Sequence, residues 1–436
     1  MVFFKKLKCK RFVIVLVSLF VFCFGFLIGK CANFPKSPRA PKTSAAYKDK
    51  NLAFLLEVYN TIKTNYWDKI SDEQLVNLYV LATEKLTDKK QEIKTKDQKD
   101  LQNLLSKNLK EIKEEDKKNE FTAQLADIVL ANLQPFGRSR LYSQKEEVDL
   151  KNRVENINPE VDQYKVLDVS KDAKPEDLKK AFEQKSVDLK KDRSPEAQQK
   201  LAQVIKAYEI LSDQDNRKTY DQSGVEPTMD YKLLTPDIFY LHINKFSPTT
   251  IEELVRITQK VDKDPGPTTL ILDFRDNVGG TIDGLPYFLG PFIGNNQYAY
   301  QFYHQGNKED FKTKIGWVPS LVRYKKVVIL INENTQSSAE VMAAVLKKYN
   351  VGILVGTPTK GWGTVEKVFP LSHQIDANIK YSVFLAHSLT LREDGQPIEG
   401  KKVEPVINIT NPNWEKQLYT YFHYPELATA IKGVIK

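Results

Sequence analysis

At 436 residues the chain has room for two or three domains, each with a core of its own. Its composition, 41% hydrophobic and 28% charged, is that of an ordinary globular protein. The net charge of +9 does not indicate a nucleic-acid partner, because the lysines are spread through acid-rich helical stretches such as Lys107 to Lys118 and read as a solvated surface.

The first residues, MVFFKKLKCKR, are basic, and Phe12 to Gly29 is an apolar run without charge. Its 18 residues are just enough to cross a bilayer as a helix. The preceding lysines and arginine favour an inside N-terminus. The spacing therefore predicts a basic tail at residues 1–11, a transmembrane helix at 12–29 and the bulk of the chain outside the cytoplasm. A cleaved signal peptide with a small-residue site near Ser44-Ala45-Ala46 is the other reading. Lys30 before Cys31 argues against a lipidated cysteine. Cys9, Cys23 and Cys31 all lie in this segment, so the globular part holds no thiol nucleophile, disulfide or cysteine metal site.

Residues 30–50 read as a linker off the membrane. Residues 51–155 form a helical region: Leu55, Leu56, Val58, Tyr59 and Ile62 recur at helical spacing, and Ser71-Asp72-Glu73 marks a helix start. Within it, residues 87–119 are so polar that an exposed helical hairpin or mobile insertion is expected. Residues 121–133 return to a helical pattern and end at Pro135-Phe136-Gly137.

Residues 156–226 have the pattern of a separate all-α module, with helices near Tyr164–Leu167, Leu178–Lys190 and onward to Leu211, then the tail SDQDNRKTYDQSG. The endings AYEILSD and RKTYD resemble those of J-domains. That resemblance implies a His-Pro-Asp tripeptide in the loop, used to stimulate a chaperone ATPase, where this chain has Lys190-Lys191-Asp192. A docking or structural module is therefore expected in place of a working co-chaperone.

From residue 227 to 436 the pattern turns to α/β. Strands are expected at Ile238–Ile243, Thr268–Asp273, Val327–Ile331, Gly352–Gly356, Tyr381–Leu391 and Val403–Ile409, with helices at Thr249–Val261 and Ala339–Lys348. Two segments stand out. Asp273-Phe274-Arg275-Asp276-Asn277-Val278-Gly279-Gly280 closes a strand with glycines that let backbone N–H groups face a ligand. Thr335-Gln336-Ser337-Ser338-Ala339-Glu340 places a serine at a strand-to-helix turn, as an N-cap or as an exposed nucleophile.

In the order LILDFRDNVGG, ILINENTQSSAE, LVGTPTKGWGTV and LREDGQPIEGKKVEPVI, these segments resemble the C-terminal processing (tail-specific) serine peptidases. The resemblance implies a mixed sheet with helices, a ClpP/crotonase-like core. It places the nucleophile on Ser337 and the oxyanion hole on the amides of Ser338 and Gly279 or Gly280. It implies no cofactor or metal, a polypeptide substrate, and allows a homo-oligomer.

The family's general base is a lysine 25 positions after the serine, where this chain has Trp362, and Glu366 stands where the family has a supporting glutamine. An indole donates one hydrogen bond and accepts no proton. Three readings stay open. Lys360 lies two residues earlier and, if the segment is extended, on the same face, with Trp362 shielding it; His242 or His387 could act; or the base is absent. The family also carries a PDZ domain where the J-like module sits here. The expected function is a membrane-anchored, extracytoplasmic serine endopeptidase with a non-standard base, cleaving envelope polypeptides; the alternative is an inactive peptide-binding pseudopeptidase with a docking module.

Overall fold

A computed structural model describes residues 49–435. The expected transmembrane helix at 12–29 and all three cysteines lie outside the described residues. No helix among the described residues is long and apolar enough to cross a membrane.

Four helices open the described chain: α1 (Lys50–Asn65), α2 (Asp72–Thr87), α3 (Gln98–Glu111) and α4 (Glu115–Ala131). Helix α2 starts where the sequence marks it. Ser71 Oγ accepts the Gln74 N–H and Gln74 Oε1 accepts the Ser71 N–H, a reciprocal cap. The polar stretch 87–119 carries α3 and the start of α4, so of the two expectations the helical hairpin holds, but it is not simply exposed. Helix α3 buries Leu101, Leu104, Leu105 and Leu109, spaced three and four apart, so a narrow leucine stripe anchors an otherwise charged helix.

Strand β1 (Arg140–Ser143) and helix α5 (Gln144–Glu155) complete the N-terminal region. The all-α module follows as α6 (Gln163–Leu167), α7 (Pro175–Lys191), α8 (Pro195–Ser212) and α9 (Gln214–Ser223). Its own core holds Tyr164, Leu167, Leu178, Val204, Ala207, Ile210 and Leu211. Its two chain ends meet at the Ile157–Val225 bridge. Lys191 keeps the N–H that a proline would lack, and α7 runs through it to a cap at Asp192.

The remaining elements are β2 (Met229–Thr235), β3 (Ile238–Ile243), α10 (Thr250–Val261), β4 (Thr269–Asp273), α11 (Leu285–Ile293), β5 (Tyr298–His304), β6 (Asn307–Lys312), α12 (Pro319–Val322), β7 (Lys326–Ile331), α13 (Ser338–Lys348), β8 (Ile353–Gly356), β9 (Thr364–Pro370), β10 (Tyr381–Leu391), β11 (Ile407–Asn408), α14 (Trp414–Phe422) and α15 (Pro425–Ile435). One sheet has the order β11-β8-β7-β4-β3-β2, parallel except for the β2–β3 pair. Strands β4 and β7 are buried from end to end or nearly so, which is why they read as continuous apolar runs.

In the second sheet β10 is the spine, paired with β1, β5 and β9, and β6 extends it from β5. The expected strand Val403–Ile409 shortens to Ile407–Asn408, because Pro405 interrupts it and Val403 instead pairs with Thr359 through Val403 N–H to Thr359 Oγ1 (2.7 Å). Since β1 belongs to this sheet, the N-terminal helical region is built into the core and is not a separate layer.

Salt bridges tie the module to the core. Arg256 on α10 donates to Asp215 (3.1 Å) and Asn216 (2.8 Å), and Lys260 to Asp213 (3.1 Å), all at the start of α9.

Candidate active site

The site lies beyond the carboxyl ends of β4 and β7, where a parallel sheet opens a crevice. After β7 the chain turns sharply and enters α13 at Ser337. That residue has φ 57° and ψ −126°, a conformation an L-residue rarely takes. The turn is stitched to the loop after β4. Thr335 Oγ1 donates to Phe274 O (2.8 Å), Gln336 N–H to Asn277 O (2.9 Å), and Ser338 Oγ to Gly280 O (3.1 Å).

Glycine is required where these two segments touch. A Cβ on Gly279 would lie 2.8 Å from Ser337 Cβ, and one on Gly280 would lie 1.9 Å from Phe246 O. Both glycines also have positive φ, 86° and 143°.

The oxyanion candidates then separate. Gly279 N–H donates to Asn277 Oδ1 (2.8 Å), whose amide nitrogen is itself tied to Ile243 O (2.7 Å). The Gly279 amide is thus committed to the loop. The N–H groups of Gly280 and Ser338 donate to no group among the described residues. These two amides flank the serine, and Ser338 is the first residue of α13, where the helix dipole adds positive potential.

Glu340 organises the surroundings. It is fully buried, and its carboxylate accepts from Ser337 N–H (2.9 Å), Gly361 N–H (2.7 Å), Trp362 N–H (2.7 Å) and the Thr359 hydroxyl. Burial raises its pKa, and these four donors oppose the rise. One carboxylate therefore holds the serine turn and the segment 359–362 together.

Lys360 does not occupy the position expected for a base. Gly361 has φ 82°, so the segment turns between 360 and 362 and the two side chains do not share a face as an extended strand would require. The Lys360 side chain is exposed and bonds neither Ser337 nor Glu366; only its backbone N–H is fixed, on Thr335 O (2.9 Å).

Trp362 is held on two sides. Its Nε1–H donates to Glu366 (3.0 Å), and the Arg138 guanidinium lies 3.4 Å from the ring centroid. Arg138 pairs with Glu399 (3.0 Å), both side chains mostly buried, and Glu399 also accepts Gly363 N–H (2.7 Å). Burial raises the Glu366 pKa against the donors Thr364 and Trp362 and the nearby Arg138 charge. Neither histidine reaches the serine. His242 bonds Arg275 O (3.1 Å) and faces Asp230, while His387 stacks on His304 at 4.2 Å and is pushed down to about 3, chiefly by burial. Sequence reasoning missed Asn277, Arg138 and Glu399, and it assigns Glu340 no role.

Residues 237–409 match the sequence profile of Peptidase family S41, and residues 162–221 that of the DnaJ domain. A probable CtpA-like serine protease of Staphylococcus epidermidis is 31% identical over 175 residues, 40% of this chain and 34% of that protein. A chaperone protein DnaJ of Thermoplasma volcanium is 43% identical over 67 residues, 14% of this chain and 18% of that one. The solved photosystem II D1 C-terminal processing protease aligns with a TM-score of 0.48 and 12% identity, covering 83% of this chain and 93% of that one. The matched part spans about a third of the peptidase relative's length. By these comparisons the chain resembles the C-terminal processing serine peptidases over its α/β core and carries a J-domain-like helical module.

Proposed function

We propose, from the S41-type core as premise, that the chain is a serine-type peptidase of the C-terminal processing class with a non-standard base. The observation that carries this is the strained Ser337 turn flanked by two uncommitted amides. Ser337 Oγ attacks a peptide carbonyl, the carbonyl oxygen takes the negative charge, and the N–H groups of Gly280 and Ser338 hold it. The proton from Ser337 goes to Lys360, whose stem starts beside Thr335, and is passed to the leaving amine. Lys360 performs this step only when deprotonated and when the turn at Gly361 carries it inward. Trp362, Glu366, Arg138 and Glu399 form a cluster joined to the serine turn through Glu340, which accepts from both Ser337 N–H and Trp362 N–H. The run Phe12 to Gly29 supports anchoring in a membrane, with envelope polypeptides as substrates.

A second reading, a peptide-binding protein without catalysis, is favoured by one specific observation. No basic side chain is hydrogen-bonded to Ser337 among the described residues, and a tryptophan clamped by arginine stands at the lysine position. A serine-directed phosphonate probe on the folded soluble part separates the two. Labelling that disappears in Ser337→Ala and weakens in Lys360→Ala is the expected result. Folded protein that takes no label refutes the peptidase and leaves the binding protein.

A further inference from the structure

Two neighbouring residues after β3 serve different parts of the molecule: Lys245 reaches the neck of the helical module, and Phe246 reaches the site. Lys245 Nζ donates to Arg153 O (2.8 Å) and to Asn156 Oδ1 (3.3 Å). Arg153 lies in the last turn of α5, and Asn156 is that helix's C-cap at φ 58°. The ammonium thus sits where a helix leaves carbonyls unpaired and its dipole favours a cation. Asn156 in turn grips the chain that leaves the module. Its amide nitrogen donates to Glu226 O (2.8 Å) and Pro227 O (3.2 Å), and its C=O accepts the Glu226 N–H (3.0 Å). The Glu226 side chain is buried and turns back into the module, accepting from Gln163 on α6 (2.7 Å) and pairing with Lys206 on α8.

Phe246 is buried, its ring stacked on Phe288 with centroids 5.2 Å apart. Its N–H donates to Gly279 O (3.0 Å), its C=O accepts the Thr281 N–H (2.8 Å), and it faces Gly280 across a parallel bridge. In a parallel pair, a residue bonded to the neighbours on either side of its partner leaves the partner's own N–H and C=O turned the other way. That register is why the Gly280 N–H stays uncommitted while Gly280 O meets Ser338 Oγ (3.1 Å).

The hydrogen bonds therefore run without a break from two module helices, through Glu226, Asn156 and Lys245, to the residue whose backbone aims the Gly280 amide. We propose that Lys245 is a positioning residue for the oxyanion loop: its two bonds to the module's neck hold Phe246 in the register that turns the Gly280 N–H towards the serine turn. That the loop serves an oxyanion rests on the serine-peptidase reading above; that Lys245 holds it rests on these contacts.

The test uses the full chain, with amide exchange followed residue by residue and the serine-directed phosphonate as the probe of Ser337. Lys245→Met keeps the stem and loses both donated bonds. Exchange at Phe246 and Thr281, the two N–H groups that clamp the loop, should speed about five- to tenfold, and phosphonate labelling should slow by a similar factor. Lys245→Arg still donates and should restore both, which separates hydrogen bonding from packing of the stem. If Lys245→Met does not fold, Asn156→Gly keeps the positive-φ cap, removes the link from Lys245 to Glu226, and should speed the same two amides to a smaller extent. Unchanged exchange at 246 and 281 in a folded variant overturns the proposal, whatever the labelling does. Faster exchange with unchanged labelling overturns it too and leaves the peptidase reading standing. Folded unmodified protein that takes no label removes the peptidase reading, and exchange at 246 and 281 then decides alone whether Lys245 holds the loop.

Discussion

The backbone of Ser337 gives a stability prediction that is independent of substrate. At φ 57° and ψ −126° the residue sits where only glycine is at ease, at a cost of about 1–3 kcal/mol for a residue with a Cβ. Its neighbours hold it there. The N–H is bound by Glu340, the preceding Gln336 N–H by Asn277 O, and the Cβ rests against the glycine at 279. Ser337→Gly releases that strain and gives back about 0.4–1 kcal/mol through the greater freedom of the unfolded chain. Ser337→Ala keeps the Cβ and the strain. The glycine variant should therefore be more stable than the alanine variant by about 1–2 kcal/mol. With unfolding entropy proportional to chain length, that is a Tm difference of roughly 1–2 °C for a protein of this size. Differential scanning calorimetry of the pair resolves it, and both variants lack the nucleophile, so loss of activity does not confuse the comparison. A glycine variant equal to or less stable than the alanine variant would show that the turn stores no strain.

Gly280→Ala places a methyl against Phe246 O and should cost at least about 3 kcal/mol, seen as loss of soluble protein or a large drop in Tm. Glu340→Gln turns one acceptor oxygen into a donor facing two of the four groups the carboxylate serves; a loss of roughly 3–5 kcal/mol is expected, with faster amide exchange at Gly361 and Trp362. For Glu366 the native pKa is raised above the ordinary 4.5, so the native state binds more protons than the unfolded chain above that pH. Stability of the unmodified protein relative to Glu366→Gln should then fall as pH rises from about 4.5 through the native value; a rise over that window in denaturant titrations would contradict the assignment. Replacing Arg256 and Lys260 together by alanine should speed thermolysin cleavage at the module's neck, residues 156–158 and 224–228, about two- to fivefold, because partly exposed ion pairs contribute little each.

Much of the core was legible because its strands are short apolar runs with glycine or small polar residues after them. Ile238–Ile243 and Tyr381–Leu391 coincide with the expected ranges, and the helix at 339 begins one residue early. The β5–β6 hairpin was missed, although Gln305-Gly306 at positive φ closes a two-residue turn between alternating strands and is a local signal. For helix α3 the helical reading holds and only the exposure does not, because overall polarity hides four leucines on one stripe. The serine and the glycines were found through their order along the chain. Asn277 was not singled out, since its part in fixing the Gly279 amide appears only when Ile243 is placed behind it. Arg138 and Glu399 lie 261 positions apart and meet across the site, a pairing that no local pattern carries.

That pairing changes what the tryptophan at the lysine position means. Read from sequence, Trp362 is a missing base. In the structure its ring is covered by the Arg138 guanidinium, and its N–H is taken by the Glu366 carboxylate. The position is thus filled by an assembled cluster of Trp362, Glu366 on β9, Arg138 just before β1 and Glu399 before β11, and an amine in place of the indole would lose both the Arg138 contact and the Glu366 hydrogen bond as they stand. On the 359–361 side the backbone is tied as well, Gly361 N–H to Glu340 (2.7 Å) and Gly361 O to the Gly400 N–H (3.0 Å), with the Lys402 stem packed beside it. The proposed role of Lys360 therefore requires Gly361 to give up both hydrogen bonds, and loss of phosphonate labelling in Lys360→Ala, with the fold intact, is the result that would support it.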